Sequence, residues 1–543
     1  MSDFDLIIAG ATIVDGTGRR GFEGDIGVVR GTIAGVGDLE RAQAGQIIEA
    51  GGLTVIPGIV DCHAHSDLTL LADPRGQSKL HQGVTTELNG QCGLGVFPVR
   101  PERQEELGTA VSFITAPVQW TWESAEQYLA TLDRAPPAYW AATMVAHGAL
   151  RAYAMGFQSR EPTDAELALM CDALRASLDA GCFGLSLGFA YAPGYYAREA
   201  EVLALLRVVA ERGRLVSVHP RTEGTDLCPA ISEVAELCRR ANDGVRGPGL
   251  RLQIDHLKRS GSRAWGTMDE PIALIEGLRA GGLDVAFDVY PYVAGSRHLS
   301  GSLPSWVHDG GATRMLERIG QPQTRARLRA ELAAFDAGES TQNPFELDFD
   351  RIMVTDVRTE ANRAVIGQRI TQIAAERGVD PLDACLDLLI EEGGHVSGVF
   401  FSMTEDDMRQ ALVHPLGAVA TDGMAFAPEG PARLGNPHPR CYGTYPRLFG
   451  RYVREHKLLT LEEAVRKCTS WPASRLGLSD RGRIRRGMRA DLVIFDSKRI
   501  IDTATWEEPH QFPRGIEFVL VGGHIAVEAG RQNTERYGGA LRA

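Results

Sequence analysis

The sequence predicts an α/β protein: a TIM (β/α)8 barrel with a small β-sandwich domain built from both chain termini. Two observations predict this fold. Short apolar runs alternate with helical patterns through the middle of the chain, and short strand signals recur at both ends. Strand–helix alternation is typical of parallel strands with right-handed crossovers, and eight such units are the number in a TIM barrel.

Composition places the chain among ordinary globular proteins. It has 543 residues, of which 44% are apolar and 23% charged, enough for one large core and a smaller domain. The formal net charge of -13 argues against nucleic acid or an anionic membrane as a partner, because no basic excess exists to neutralise phosphates. We expect a small-molecule substrate instead.

The chain's start and its cysteines predict a cytoplasmic location. The first five residues contain no basic region, and no apolar run is long enough to span a bilayer. The nine cysteines are an odd number without a Cys-x-x-Cys pair, which fits reduced thiols better than a disulfide framework. A cysteine with a special role is therefore expected to be a ligand or a nucleophile.

Strand signals at the two ends predict one shared β domain. These segments are rich in Ile and Val and are bounded by Gly-bearing turns. They are 4–14, 25–36, 47–55, 491–496 and 518–524. We expect residues 1–57 and 476–543 to form the two parts of this domain.

The barrel is expected at residues 58–475. Its predicted strands are 59–65, 85–92, 140–147, 182–187, 215–220, 251–256, 284–290 and 417–422. Helical spacing of apolar residues is clear at 164–180 and 199–212. Residues 352–355 and 396–403 are further strand candidates, so the seventh and eighth assignments stay open. Residues 296–350 are predicted as an insertion after the seventh strand, and a lid is one role for it.

Candidate metal ligands close several of the apolar runs. His63 and His65 are spaced i and i+2, so on a β-strand both imidazoles project from one face as a chelating pair. Four more side chains lie at or near C-terminal strand ends, where TIM-barrel sites are built. They are Cys92, His219, His256 and Asp422. Each taken alone is weak evidence for a ligand and is more often structural, but together they suit Zn²⁺ and suffice for one or two ions.

Residues 57–67, Pro-Gly-Ile-Val-Asp-Cys-His-Ala-His-Ser-Asp, resemble the first-strand signature of the amidohydrolase superfamily. Further stretches, spread over nearly the whole chain, narrow the resemblance to the N-acyl-D-amino-acid deacylases, or D-aminoacylases. They include 83–86, 89–93, 147–151, 184–188, 256–258, 288–292, 422–423 and 438–440. Superfamily relatives commonly bridge two metals with a carboxylated lysine. In these deacylases a cysteine from the second strand takes that place, and Cys92 stands there.

The resemblance implies a zinc-dependent hydrolase of N-acyl-D-amino acids. It implies that Cys92, His219 and His256 hold one zinc tightly, and that the other three ligands line a second, weaker or vacant position. A thiolate with two imidazoles leaves a coordination position open, as catalytic zinc requires. Asp422 is the candidate for the carboxylate that takes a proton from water and returns it to the leaving amine.

Substrate contacts follow from the same resemblance, which assigns Lys258, Tyr290 and Arg440 to the substrate pocket. The planar guanidinium of Arg440 suits a bidentate clamp on an α-carboxylate. Two departures from the family pattern bear on this pocket. The segment 424–437 is long and carries three prolines, and Tyr445 stands where Phe is expected. The acyl-group and side-chain preferences are therefore left open.

Other functions remain as alternatives. A cyclic-amide hydrolase of the hydantoinase or dihydroorotase type is disfavoured because Cys92 replaces the bridging lysine. A dipeptidase of the same superfamily is a closer alternative. A metal-binding protein without turnover is disfavoured, because such a homologue is expected to lose one of the six ligands and this chain keeps them all.

Overall fold

Parallel strands form the centre of the molecule. The computed structural model describes residues 2–114, 116–339 and 348–543, and eight parallel strands alternate with helices in this part. The strands are Ile59–Asp61, Val84–Asn89, Trp140–Thr143 with Val145–Ala146, Gly184–Gly188, Leu215–His219, Arg251–Ile254, Val285–Val289 and Gly417–Val419. We number them as the first to eighth barrel strands. Each overlaps its predicted segment, and the fold is of the TIM-barrel type.

Helices connect the barrel strands. Both helices predicted by spacing are present, as Asp164–Asp179 and Glu199–Glu211. The first begins with a capping box, in which the side chains of Thr163 and Glu166 accept hydrogen bonds from each other's backbone N–H. The other helices are Thr69–Ala72, Gln77–Leu80, Gln104–Ala110, Ala125–Arg134, His147–Met155, Leu227–Asn242, Asp269–Ala280, Glu405–Val413, Arg440–Arg447, Leu461–Cys468 and Ser470–Leu476, with a π-helix at Leu448–Glu455. No helix within the described ranges is both long and apolar enough to cross a membrane.

The barrel strands fall into two sheets because the third strand is interrupted at Met144. Trp140–Thr143 pairs with the second strand, whereas Val145–Ala146 pairs with the fourth. Near the C-terminus, Gly539–Ala540 pairs with the start of the third strand. The end of the chain therefore contributes to the barrel sheet, which the sequence did not predict.

The first and eighth strands meet through backbone contacts. Ala64 forms a parallel β-bridge with Gly423. The N–H of Asp422 donates to the carbonyl of His63 at 2.9 Å, and the N–H of His65 donates to Gly423 at 3.1 Å. The main chain thereby joins the predicted ligands His63 and Asp422, and joins His65 to the residue after Asp422.

A buried polar cluster lies beside this junction. The ammonium of Lys79 donates to Asp61 Oδ2 and to Thr421 Oγ1, both at 2.6 Å, and the Thr421 hydroxyl donates to the same carboxylate oxygen. Glu87 Oε2 lies 3.6 Å from the ammonium. The Lys79, Asp61 and Glu87 side chains are fully buried. Such charges are tolerated because each faces an opposite charge or a hydrogen-bond partner.

Strands from both ends of the chain share one sheet. Thr54–Pro57 pairs antiparallel with Leu492–Phe495. The sheet's other strands are Phe4–Ile13, Phe22–Val29, Thr32–Gly37, Ala44–Glu49, Ile516–Val521, His524–Glu528 and Arg531–Gln532. Alternate residues such as Leu6, Ile8 and Ile494 bury one face of this sheet in a separate apolar core. A two-layer sandwich and the domain boundaries remain predictions.

The segment between the seventh and eighth strands is larger than 296–350. Gly295–His298, Ile352–Val357 and Val396–Phe400 form an antiparallel sheet, so the two further strand candidates lie outside the barrel. The helices here are Ala312–Ile319, Pro322–Asp336, Ile370–Arg377 and Pro381–Glu391. Their apolar residues form a core of their own. Residues 340–347 of the predicted insertion lie outside the described residues.

Candidate metal centre

The six predicted ligands lie together at the C-terminal ends of the barrel strands. All six side chains are buried. Cys92, His256 and Asp422 each have a positive φ, of 56°, 33° and 47°. Left-handed backbone at a residue other than Gly costs about 1–3 kcal/mol and persists only where the surrounding structure imposes it. The chain thus turns sharply just past three strand ends, at the residues predicted to bind metal.

The ligand atoms form two overlapping groups. His63, His65, Cys92 and Asp422 make one group, and Cys92, His219 and His256 make the other, with the ligand atoms of each group within 4.8 Å of one another. Cys92 belongs to both. Its Sγ lies 3.3 Å from Nε2 of His63 and 3.3 Å from Nε2 of His256. A single thiol is therefore placed between two candidate metal positions.

The strand geometry around the first histidine pair differs from the prediction. The first barrel strand ends at Asp61, so His63 and His65 lie beyond it rather than on one face of a continuing strand. They still converge, because Nε2 of His65 and Nε2 of His63 lie 3.1 and 3.4 Å from Oδ1 of Asp422. The bridge to Gly423, rather than strand periodicity, sets their direction.

The donor set fits zinc. Imidazole and thiolate are ligands that Zn²⁺ prefers, and one carboxylate is compatible with them. Burial lowers the pKa of His65 to about 4, so its ring is in the neutral form that binds metal. Burial raises the pKa of the Cys92 thiol to about 12. Because a ligand cysteine must lose its proton, metal binding at Cys92 is coupled to proton release.

Asp422 remains ionised in this setting. Burial raises the pKa of Asp422, but Arg440, His256 and the hydrogen bond from His65 outweigh burial and hold that pKa well below its usual range. Arg440 Nη1 lies 3.0 Å from Asp422 Oδ2. The candidate base is therefore a carboxylate with one oxygen toward the histidines and the other toward an arginine.

Two of the predicted substrate residues, Lys258 and Arg440, lie close to the third, Tyr290. The Lys258 ammonium lies 5.6 Å from the centre of the Tyr290 ring, and the Arg440 guanidinium lies 4.9 Å from it. The Tyr290 hydroxyl has no hydrogen-bond partner in the part of the chain that the structure describes. A donor flanked by two cations is suited to an anionic group such as a carboxylate.

Two cavities meet at Asp422. One, of about 130 Å³, is lined by Lys258, Tyr290 and ligands of both groups. The other, of about 140 Å³, is lined by Arg440 and by the 424–437 segment, including Met424, Phe426 and Leu434. That segment therefore lines the second cavity, and its effect on substrate preference stays a prediction. Tyr445 is not among the lining residues of these two cavities; its hydroxyl donates to the carbonyl of Val419 beneath them.

Sequence reasoning missed the carboxylates behind two of the histidines. Glu223 Oε1 lies 2.9 Å from Nδ1 of His256, and Asp288 Oδ1 lies 3.2 Å from Nδ1 of His63. Asp288 is a carboxylate within the apolar seventh strand Val285–Val289, two residues before Tyr290, which was a usable signal. Glu223 lies in a loop four residues after His219, and nothing in the surrounding sequence indicated a functional role for it.

Comparison with known proteins identifies the family. The model of the amidohydrolase family matches residues 46–527. The chain belongs to the amidohydrolase family. Over 519 residues it is 33% identical to N-acyl-D-glutamate deacylase of Alcaligenes xylosoxydans xylosoxydans, which covers 96% of this chain and 93% of that protein. The resemblance to the N-acyl-D-amino-acid deacylases is therefore confirmed.

Solved structures support the same family assignment for this amidohydrolase. The crystal structure of N-acyl-D-glutamate deacylase from Bordetella bronchiseptica, complexed with zinc and a phosphonate mimic of the tetrahedral intermediate, superposes with a TM-score of 0.83. It is 32% identical, over 99% of this chain and 100% of that one. A D-aminoacylase described as having a binuclear metal centre, with one-metal activation and second-metal attenuation, is 31% identical over the same shares, with a TM-score of 0.81.

Proposed function

We propose that this chain is a cytoplasmic, zinc-dependent enzyme that hydrolyses the amide bond of N-acyl-D-amino acids to a carboxylate and a free D-amino acid. The observation that carries the proposal is the position of Cys92 between two ligand groups, with Asp422 on one side and the Lys258–Tyr290–Arg440 cluster beside it. The proposal includes the domain division at 1–57, 58–475 and 476–543, with Gly539–Ala540 of the last segment pairing with the barrel sheet.

The ligand groups define which residues hold metal. Cys92, His219 and His256 are the residues for a tightly bound zinc, and His63, His65 and Asp422 surround a second, weaker position. Zinc bound at such a centre lowers the pKa of bound water toward about 7 and polarises the amide carbonyl. The shared thiol is the reason that one ion and two ions are both compatible with the same residues.

The protein's own side chains supply orientation and proton transfer. Arg440, Lys258 and Tyr290 bind the α-carboxylate, which fixes the scissile amide relative to Asp422. Asp422 takes the proton from the attacking water and returns it to the leaving amine. Because Asp422 stays ionised at neutral pH, it is ready to accept that proton.

The alternatives differ in what the cation cluster recognises. A hydantoin or dihydroorotate-type ring has a cyclic amide, and the superfamily enzymes for it commonly bridge their metals with a lysine, whereas Cys92 occupies that position here. A dipeptide keeps a free α-carboxylate and a linear amide, so a dipeptidase stays the nearer alternative. A non-catalytic metal-binding homologue would be expected to lose Asp422 or a histidine, whereas this chain keeps all six predicted ligands.

Amine release from matched substrates tests the proposal. The zinc-loaded protein is assayed with N-acetyl-D- and N-acetyl-L-glutamate, aspartate and leucine, a dipeptide with a C-terminal D-residue, and a hydantoin. We expect hydrolysis of the N-acetyl-D compounds, lost on zinc removal and restored by zinc. Turnover of the hydantoin or the dipeptide without turnover of any N-acetyl-D-amino acid would replace the proposal by the corresponding alternative.

A further inference from the structure

We propose that Glu223 is a positioning residue of this centre, which fixes the His256 ring through Nδ1 and holds Lys258 in place for the substrate. The inference rests on the proposed function, since it takes His256 as a metal ligand and Lys258 as a carboxylate contact. Glu223 belongs to neither ligand group and lines the cavity beside them.

The position of the Glu223 carboxylate supports this role. Its Oε1 lies 2.9 Å from Nδ1 of His256, 2.6 Å from Nζ of Lys258 and 3.8 Å from Nε2 of His219. The side chain is 11% exposed, so these contacts are shielded from solvent. Glu223 follows the fifth barrel strand and His256 follows the sixth, so the carboxylate joins two neighbouring strand ends.

The two nitrogens of His256 face different partners. Nε2 lies 3.3 Å from Cys92 Sγ, inside the ligand group, and Nδ1 faces Glu223. A ring that binds metal through Nε2 carries its hydrogen on Nδ1, and that hydrogen needs an acceptor. Nδ1 lies 2.8 Å from Lys258 Nζ, which is a donor, and 2.9 Å from Glu223 Oε1; with zinc on Nε2, Nδ1 would carry the hydrogen and Glu223 would be its acceptor.

This arrangement distinguishes His256 from His65 and His219, whereas His63 has Asp288 Oδ1 3.2 Å from its Nδ1. Nδ1 of His65 and Nδ1 of His219 have no hydrogen-bond partner among the residues that the structure describes. A carboxylate at the distal nitrogen of a ligand histidine fixes the ring, and losing it typically weakens metal binding about 10–100-fold. We therefore expect His256 to be held more firmly than His219, within the same candidate zinc site.

The same carboxylate sets the position of Lys258. A lysine has a flexible four-carbon stem and a compact charge, so it needs a partner to hold one conformation. Glu223 holds the ammonium while the Tyr290 ring lies 5.6 Å away. An arriving substrate carboxylate meets a cation that is already in place, which reduces the ordering cost of binding. Metal binding and carboxylate recognition thus share Glu223.

The first experiment compares zinc affinity in Glu223→Gln and wild type by competition with a chelating dye. Gln keeps the size of the side chain and an acceptor oxygen but removes the charge. We expect zinc to bind about 10–100-fold more weakly. Glu236→Gln is the matched control, because Glu236 is exposed on the adjacent helix Leu227–Asn242, and its zinc affinity should not change. Equal zinc affinity in Glu223→Gln and wild type, with both folded, overturns the inference.

The second experiment tests the link to Lys258 by steady-state kinetics at saturating zinc. Glu223→Gln should raise KM for an N-acetyl-D-amino acid and reduce the preference for the free acid over its amide. When Glu223→Gln is added to Lys258→Met, it should cause no further loss of this preference, because the lysine that Glu223 positions is already absent. An equal loss in both backgrounds contradicts the role assigned to Lys258.

If Glu223→Gln does not fold, a measurement on the wild-type protein tests the role of Glu223 instead. In zinc-loaded protein with ¹⁵N-labelled histidine rings, His256 should carry its hydrogen on Nδ1. A hydrogen on Nε2 overturns the inference. Failure of the proposed function is distinguishable, because wild type would then bind no zinc or hydrolyse no N-acyl-D-amino acid.

Discussion

Arg440 and Asp422 form a buried ion pair, with Nη1 of the arginine 3.0 Å from Oδ2 of the aspartate. The predicted carboxylate clamp is therefore in direct contact with the predicted base. Nε of Arg440 is buried and has no hydrogen-bond partner in the described part of the chain. If Arg440 binds the α-carboxylate as proposed, recognition of the substrate and ionisation of Asp422 depend on the same guanidinium.

Replacing Arg440 should damage free-acid substrates selectively. Arg440→Lys keeps the charge but loses the planar fork, and Arg440→Ala loses both, so Ala should be worse than Lys. Charged hydrogen bonds contribute about 1.5–3 kcal/mol, which corresponds to a roughly 10- to 150-fold loss in kcat/KM. The control is the α-amide of the same substrate, for which the loss should shrink greatly. Equal discrimination between acid and amide by wild type and Arg440→Ala would show that another residue is the clamp.

The pH profile should change in the same variant. Arg440 helps to hold the pKa of Asp422 well below its usual range, against the effect of burial, so removing the guanidinium raises that pKa. Asp422 must be ionised to accept a proton, and activity falls as the pH falls through its pKa. The acid limb of kcat/KM in Arg440→Ala should therefore lie at higher pH than in wild type. Arg440→Lys should show a smaller shift, and an acid limb unmoved in both variants contradicts the coupling.

Asp422→Asn separates the proton role from metal binding. Asn keeps the shape of the side chain but does not accept the proton, so kcat should fall by roughly 10²- to 10⁴-fold. The zinc ion assigned to Cys92, His219 and His256 should remain bound, because these three residues are unchanged. Elemental analysis and single-turnover kinetics check the two expectations together. A near-normal kcat would assign the proton transfer to another group.

Cys92→Ala should remove the thiol that both ligand groups share. We expect a sharp loss of bound zinc and of activity, because two imidazoles alone leave the tight site with one ligand too few. Cys238→Ala is the control, since Cys238 is also buried but lies in the helix Leu227–Asn242, outside both ligand groups. Wild-type zinc should bind more tightly at higher pH, since Cys92 gives up its proton on binding. Zinc retained undiminished by Cys92→Ala rules out Cys92 as a ligand.

The predicted ligands could be grouped from the sequence because of how parallel strands are arranged. Side chains that close parallel strands converge at one end of a barrel, so His219 and His256 could be placed together without knowing the fold in detail. Their directions were less predictable. Cys92, His256 and Asp422 take up positive φ values imposed by surrounding contacts, and propensity does not predict strained backbone.

Other features depend on contacts between distant parts of the chain. Glu223 and Lys79 are charged residues in polar local sequence, where a solvated side chain is the usual outcome, and only the folded structure shows their buried partners. The length of the insertion between the seventh and eighth strands was underestimated for a related reason. Residues 352–357 and 396–400 have the short apolar pattern of barrel strands, and only their antiparallel pairing separates them from the barrel.

The last prediction concerns the buried cluster at the junction of the first and eighth strands. Thr421 precedes Asp422, and its hydroxyl accepts from Lys79, donates to Asp61 and accepts from the N–H of Gly423. Thr421→Val keeps the shape but removes the hydroxyl, and should destabilise the fold by about 1–3 kcal/mol. It should also lower kcat, since a shift of about 1 Å at Asp422 is enough for a roughly 10²-fold loss.

Two comparisons separate positioning from general stability. Thr421→Ser keeps the hydroxyl, so it should restore kcat as well as stability. Lys79→Met leaves the Asp61 carboxylate without its cation and should cost about 3–5 kcal/mol, measured by chemical unfolding. If Thr421→Val lowered the unfolding free energy but left kcat unchanged in the folded protein, the cluster would stabilise the strand junction without placing Asp422, because the backbone bridge at Gly423 would be sufficient to hold the base in position.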